Sequence, residues 1–243
     1  MSGHSKWHNI QARKGKQDAK RSSSFSKFSK LISVAARQGG SDLESNFSLR
    51  LAIDRAKAVG VPKDNIERAI KSGTGELKGN QVEELMYECY GPGGVAVLVK
   101  TVTDNKNRTV SDIKHAFSKN GGSMGGSGSV LWMFEQWGVI VIPKDCLIKN
   151  NLDKDEFELD MMDIGVEDIE MDDEEIKIKI KLENLQSAIR TIEEKNIEIK
   201  DSGLEWIAKD KVLVDEKIAD KLNKLFEELS EYEDVEDFYT NAE

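Results

Sequence analysis

Apolar residues recur at helical spacing through the first 75 positions. Phe25, Phe28, Ile32 and Ala35 form one stripe, Leu49, Ile53 and Ala56 a second, and Ile66 and Ile70 a third. Steps of three and four place side chains on one face of a helix. Gly39-Gly40, Gly60 and Gly73 close the three runs, where a helix end accepts left-handed backbone. Ser41 or Asp42 stands where a cap is needed, and Pro62 where a first turn tolerates a missing N–H. Residues 1–78 are therefore expected to form a small antiparallel helical bundle.

The period then shortens to two. Residues 82–90 and 95–103 read as strands joined by Gly91-Pro92-Gly93-Gly94, which is hairpin chemistry. Residues 109–119 read as a helix closed by Asn120-Gly121-Gly122, and the glycine-rich stretch 121–128 as a mobile connector. Residues 129–135 and 138–143 regain strand character, with a break near Trp137-Gly138. Beyond them follow a helix (153–163), strands (166–171 and 176–182), a helix (185–195) and a strand (197–206). Counted from the strand at 139–142, that order is βαββαβ, the split-βαβ or ferredoxin-like unit. The ββαβ elements before it and the helix (215–229) plus strand (235–239) after it join into a second α+β unit. The expected fold is thus α+β and multi-domain: an N-terminal helical bundle (1–78) and two ferredoxin-like α+β domains. One of these (136–206) is inserted in the other (79–135 and 207–243).

Composition narrows the class. Hydrophobic residues make up 38% of the 243, ordinary for a globular chain. The longest apolar stretches fall far short of the ~20 residues that span a bilayer. No apolar segment follows Met1, so neither a secretory signal nor a membrane partner is expected, and a cytoplasmic location is. Cys89 and Cys146 are too few and too far apart for a disulfide scaffold or a cysteine zinc site; two reduced, half-buried thiols are expected.

The net charge of -10 hides a strong polarity. Residues 1–40 carry nine Lys/Arg against one Asp, whereas residues 150–243 carry 12 basic and 31 acidic side chains. That asymmetry points to a polyanion-facing arm on an acidic body. On an ideal helix Lys6, Arg13, Lys16 and Lys20 fall within an arc of roughly 80°, a stripe able to track a phosphate backbone. The opposite side offers only His8, Gln11, Ala12, Gly15 and Ala19, which bury little, so such a helix is stabilised by a partner. The plain alternative is a solvated basic face. Trp7 suits stacking on a base or sugar, or equally an anchor on the bundle. Lys106 and Arg108, in the loop before the helix expected at Thr109, suit a phosphate or a carboxylate; a capped helix entry is the simpler reading. Beyond Lys224 come eight acids and no base. They suit either a polyanion mimic that restrains the arm or a helix face and edge strand kept soluble by charge.

Chemistry is sparse. His4 and His8 share a helical face but lack a third ligand, so no metal or other cofactor is expected. No P-loop follows the glycines, and the acid pairs follow from composition.

Several ordered motifs resemble the YebC/PmpR family: Gly3-His4-Ser5-Lys6-Trp7, Asp18-Ala19-Lys20-Arg21, Pro62-Lys63-Asp64-Asn65-Ile66-Glu67-Arg68-Ala69-Ile70, Gly73-Thr74-Gly75, Tyr90-Gly91-Pro92-Gly93-Gly94-Val95, Thr103-Asp104-Asn105-Lys106-Asn107-Arg108-Thr109 and His115-Ala116-Phe117-Ser118-Lys119-Asn120-Gly121-Gly122. The likeness is dense over residues 3–143 and looser beyond. Ser22-Ser23-Ser24 stands where the family more often has Gly-Lys and an apolar residue, which removes one cation from the arm; Met124-Gly125 replaces a more usual Leu-Gly. The resemblance implies three domains, one inserted in another, and a non-enzymatic regulator of gene expression. Bacterial members are catalogued as DNA-binding transcriptional regulators. Other members are translation factors acting on the ribosome, and mitochondrial relatives include the translational activator of cytochrome c oxidase subunit I.

The expected partner is nucleic acid, either DNA or a structured RNA such as the ribosome. Lys6, Trp7, Arg13, Lys14, Lys16, Lys20, Arg21, Lys27, Lys106 and Arg108 are the candidate contacts. No helix-turn-helix spacing, zinc finger or heptad zipper marks a base-reading module. A protein-interaction adaptor and an enzyme are the lesser alternatives.

Overall fold

The computed structural model describes residues 21–77, 82–149, 153–172 and 174–243. The chain divides into two compact units: Phe134–Ile207, and the segments on either side of it.

Among the described residues the flanking unit opens with the helices α1 (Arg21–Gly39), α2 (Phe47–Ala58) and α3 (Lys63–Gly73). The three apolar stripes meet in one core of Ile32, Ala35, Ala36, Leu49, Ile53, Ala56, Val61, Ile66 and Ala69, with Phe25, Phe28 and Ile70 packed against it. Asn46 joins two of the helices. Its Oδ1 accepts from the Leu49 N–H at the start of α2, while its Nδ2 donates to the carbonyls of Ala35 and Gly40. Gly73 lets α3 approach α1, because a Cβ there would run into the Ser33 carbonyl oxygen.

The same unit continues with β1 (Glu83–Tyr90), β2 (Ala96–Thr103), α4 (Lys106–Lys119) and β3 (Ser123–Met124). β1 and β2 pair antiparallel without interruption from Glu83↔Thr103 to Tyr90↔Ala96. Gly93 and Gly94 take φ of 75° and 76° in the turn between them, backbone that side chains rarely adopt. α4 starts a turn earlier than the hydrophobic period suggests. Asn105 caps it by accepting from the Arg108 N–H at 3.2 Å, which draws Lys106 and Arg108 into the first helical turn.

The stretch 121–128, read from composition as mobile, is held in place. Ser123 and Met124 pair with Tyr90 and Cys89. The buried Glu88 carboxylate then accepts from the N–H groups of Gly128 at 2.5 Å and of Val130 and Leu131 at 2.8 Å each. Burial alone would raise Glu88, but these backbone donors outweigh it and hold the carboxyl below its usual range.

The inserted unit starts with β4 (Phe134–Pro143). Neither a strand at 129–133 nor the break at Gly138 is present. Leu131–Met133 is a 3₁₀ turn, and β4 runs straight through Gly138. A Cβ on Gly138 would lie 3.0 Å from Ile180 Cγ2 and 3.1 Å from Leu185 Cδ1, so this glycine serves close packing, not chain reversal. There follow α5 (Cys146–Lys149), α6 (Lys154–Asp163), β5 (Val166–Met171), β6 (Glu175–Ile180), α7 (Leu185–Glu194) and β7 (Asp201–Ala208). β7 starts four residues later than the pattern suggests: Asn196 turns the chain at φ 58°, and Ile197 is spent as a buried plug. The sheet order β5-β6-β4-β7 is that of a split βαβ unit. Ile176, Ile178 and Ile180 are fully buried, while Lys177 pairs with Glu205 and Lys179 lies over the Trp137 ring.

The chain returns to the first unit through α8 (Glu216–Glu231) and β8 (Val235–Thr240). β8 adds to β2, completing the antiparallel order β3-β1-β2-β8. α4 and α8 cover one face of that sheet. Val97, Val99, Ile113, Phe117, Leu222, Phe226 and Phe238 share their core, and the rings of Phe226 and Phe238 stack at 4.6 Å. The hairpin comes first here, so the connection order is ββαβ…αβ, unlike that of the inserted unit.

Both thiols are buried, not half-buried, and burial pushes Cys89 up to about 12. No described helix is long and apolar enough to cross a membrane.

Phe117 is fully buried between sheet and helices. Phe117→Ala is expected to cost about 3–5 kcal/mol. The check is a lower urea midpoint at unchanged m-value.

Candidate nucleic-acid interface

Lys6, Trp7, Arg13, Lys14, Lys16 and Lys20 lie outside the described residues. Arg21 opens α1, and its side chain also lies outside them. Lys27, Lys106 and Arg108 are described, and the structure gives each a partner within the chain.

α1 is two-faced. At 100° per residue, Lys27, Lys30 and Arg37 fall within an arc of roughly 80°, across the helix from Phe25, Phe28 and Ile32. The apolar face enters the bundle core. The basic face meets the β1–β2–β8 sheet. Lys27 Nζ donates to the Glu236 carbonyl at 3.3 Å, Arg37 Nη1 to the Val82 carbonyl at 2.6 Å, and Gln38 reaches Glu84 at 3.5 Å. Lys30, almost entirely buried, pairs with Asp234 at 2.6 Å and with Glu233 at 3.2 Å.

Asp234 is the hub of this seam. It is 5% exposed and precedes β8. Besides Lys30, its carboxylate accepts from Arg108 through Nε at 3.2 Å and Nη2 at 2.8 Å, and from the hydroxyls of Thr103 and Thr109 at 3.1 and 2.9 Å. Burial drives Asp234 up, but the hydrogen bonds from Lys30, Arg108 and Thr109 outweigh it and hold the carboxyl below its usual range. Arg108 also reaches Asp104 at 3.1 Å, and its guanidinium is held above its ordinary value, chiefly by Asp234. The Asp104–Thr109 loop therefore does hold a carboxylate, and that carboxylate is the chain's own. Lys106 pairs with Glu83 at 2.7 Å.

A second ionic layer lies beside the first. Lys100 bridges Glu84 at 3.3 Å and Glu236 at 3.1 Å. Burial works against its charge, yet the two carboxylates hold the ammonium above its ordinary value. Glu236 is raised by its own burial, and the field of Glu236 and Asp237 also reaches the half-buried Arg55 of α2.

Residues with chemistry are otherwise few. Gly121-Gly122-Ser123-Met124-Gly125 spells G-x-S-x-G, but Ser123 opens β3 just after α4, paired with Tyr90, without the strand-to-helix elbow that exposes a nucleophile. Among the described residues no group of three His, Cys, Asp or Glu side chains is arranged to hold a metal ion, and His115 is exposed. His4 and His8 lie outside the described residues.

The sequence reading missed Asp234, Lys30, Thr103 and Thr109. Asp234 was submerged in a run of acids. Lys30 carried a signal of sorts, since it stands inside an apolar helix repeat. Its partner is 204 residues away, and no local pattern reveals that pairing.

A family model described as TACO1/YebC protein N-terminal domain matches residues 5–76, and one described as TACO1/YebC second and third domain matches residues 82–242. A probable transcriptional regulatory protein of Clostridium acetobutylicum is 44% identical over 243 residues, covering 100% of this chain and 97% of the relative. One of Hathewaya histolytica with the same description is 46% identical at the same coverage. The crystal structure of a conserved hypothetical protein from Aquifex aeolicus superposes with a TM-score of 0.81 at 40% identity, covering 93% of this chain and 91% of that one.

Asp234→Ala strands two buried or half-buried cations, so a loss of about 3–5 kcal/mol is expected at neutral pH. Because the folded-state carboxyl is depressed, its contribution is full above the ordinary aspartate value of ~3.9 and fades as pH falls through the lower folded value. Wild-type and variant unfolding curves should therefore converge in acid. Chemical denaturation at pH 7 and in steps below pH 4 checks both statements.

Proposed function

The chain belongs to the TACO1/YebC family, and from that premise we propose that it is a non-enzymatic, nucleic-acid-binding regulator of gene expression. One observation carries the reading: nine Lys/Arg against one Asp over residues 1–40, in a chain of net charge -10. A cation density this local, on an otherwise acidic protein, is the footprint of a polyphosphate partner. The relatives' description as probable transcriptional regulatory proteins supports it.

Lys6, Arg13, Lys14, Lys16, Lys20, Arg21 and Lys27 serve as phosphate contacts, with Trp7 stacking on a base or sugar. Each cation that neutralises a phosphate releases condensed counterions, so binding gains free energy without reading sequence. Lys106 and Arg108 form a second, weaker contact set, since each is already paired with a carboxylate. The acidic body does not repel the strand at a distance, because the Debye length is only ~8 Å at physiological salt. Its role is to present the arm and to engage further components of the target. The action is cytoplasmic and needs no cofactor.

A second reading, a translation factor on a structured RNA such as the ribosome, is favoured by the absence of any sequence pattern for a base-reading DNA module. A phosphate-led arm on a multi-domain body suits irregular RNA as well as duplex DNA.

Lys16→Glu with Lys20→Glu is expected to abolish polynucleotide binding in full-length protein, as read by fluorescence anisotropy. The four cations of the stripe Lys6, Arg13, Lys16 and Lys20 alone give a slope of log K against log salt of about -3.6 on duplex DNA, less on single strands, and each further phosphate contact steepens it by about 0.9. A salt-independent affinity contradicts the proposal. Sedimentation of native lysate, with and without nuclease, separates the two targets. Co-migration with ribosomes selects translation, and migration with DNA that is lost on DNase treatment selects transcription.

A further inference from the structure

Three candidate cations have described side chains, and all three are engaged by the chain itself. Lys27 donates to the carbonyl of Glu236, Lys106 pairs with Glu83, and Arg108 with Asp234. Lys30 is engaged by Glu233 and Asp234. The acidic stretch 233–237 thus offers the basic face of α1 oxygen acceptors of the kind a phosphate backbone offers: a carbonyl and carboxylates placed against ammonium groups.

The contact between bundle and sheet is also of a separable kind. The bundle core (Ile32, Leu49, Ile53, Ile66) and the sheet core (Val97, Phe117, Phe226, Phe238) share no residue. Polar contacts cross between them: Lys27 to Glu236, Lys30 to Glu233 and Asp234, Arg37 to Val82, Gln38 to Glu84. The rim contacts of Arg37 and Gln38 are exposed and weaken with salt, while the buried Lys30–Asp234 pair is screened less and yields only to a polyanion that replaces its acceptors.

We propose that the acidic segment 233–237 is a built-in competitor for the cations of α1, so that a polyphosphate chain engages Lys27 and Lys30 only when the helical bundle leaves the sheet. The contact is autoinhibitory, and the bundle is the moving part. This rests on the nucleic-acid reading and deepens it, because it assigns the C-terminal acids a regulatory partner inside the chain. The expected coupling is of the ordinary allosteric size, about fivefold or more in affinity.

The test holds the seam shut without touching the proposed contacts. Gln38→Cys and Glu84→Cys face each other across the rim, and a short bis-maleimide bridges them in the full chain. The bridged protein is expected to bind a labelled oligoribonucleotide, and a labelled DNA duplex, about fivefold or more weakly than the same protein before bridging. Glu233→Gln with Asp234→Asn, which removes both carboxylates from Lys30, should bind both probes more tightly by a similar factor, and should do so equally in an Arg108→Ala background, where release of Arg108 from Asp234 cannot contribute. If this variant unfolds, the bridged pair still decides the matter. Equal affinity before and after bridging overturns the proposal while leaving nucleic-acid binding intact. Failure of the function reading looks different: no form binds, or Lys16→Glu with Lys20→Glu changes nothing in any form.

Discussion

A buried carboxylate with four partners organises the flanking unit. Asp234 takes hydrogen bonds from Lys30 of the bundle, Arg108 of α4, and the hydroxyls of Thr103 and Thr109. An isolated carboxylate in that position would be prohibitively costly; fully paired, it is tolerated, and it holds its neighbours to one geometry. The entry of α4, the end of β2, the start of β8 and the middle of α1 all meet at this side chain. Each element has its own local reason to form. Their mutual placement depends on this charge.

The two faces of α1 follow from the same constraint. One side is apolar and completes the bundle core, and the other is basic and meets carbonyls and carboxylates of the sheet. A helix whose second face is ionic is bound to its neighbour less permanently than one packed on both sides by apolar groups. That difference separates the interior of the bundle, closed by apolar packing, from the basic face of α1, which meets the sheet through ion pairs and carbonyls. The acidic surplus after residue 150 then has local structural uses as well as solubility. Glu228 pairs with Lys119, Glu233 with Lys30, and Glu236 with Lys100.

Glu88 repeats the logic on the hairpin. A buried carboxylate on β1 gathers the backbone amides of Gly128, Val130 and Leu131 and turns a glycine-rich stretch into a defined loop. In both places an acid that looks unremarkable in composition is the piece that organises a segment. Apolar burial supplies the stability, and the paired acids supply the register.

The sequence alone determined the helical stripes of α1, α2 and α3, the hairpin at Gly91–Gly94, the βαββαβ order of the inserted unit, the family and the basic polarity of the first 40 residues. All of these rest on periodicity, on turn chemistry or on summed charge, which act over a few neighbouring positions. Only the tertiary structure decided that Gly138 lies within a strand, that 121–128 is clamped, that α4 begins at Lys106, and that Arg108 faces Asp234. Three of these depend on an atom brought from far along the chain: Leu185 over Gly138, Glu88 under Gly128, Asp234 beside Arg108; the start of α4 rests on the local cap from Asn105, which the hydrophobic period does not report. A carboxylate's role is set by what desolvates it and what donates to it. In Asp234 both come from residues more than a hundred positions away, where no local pattern reaches.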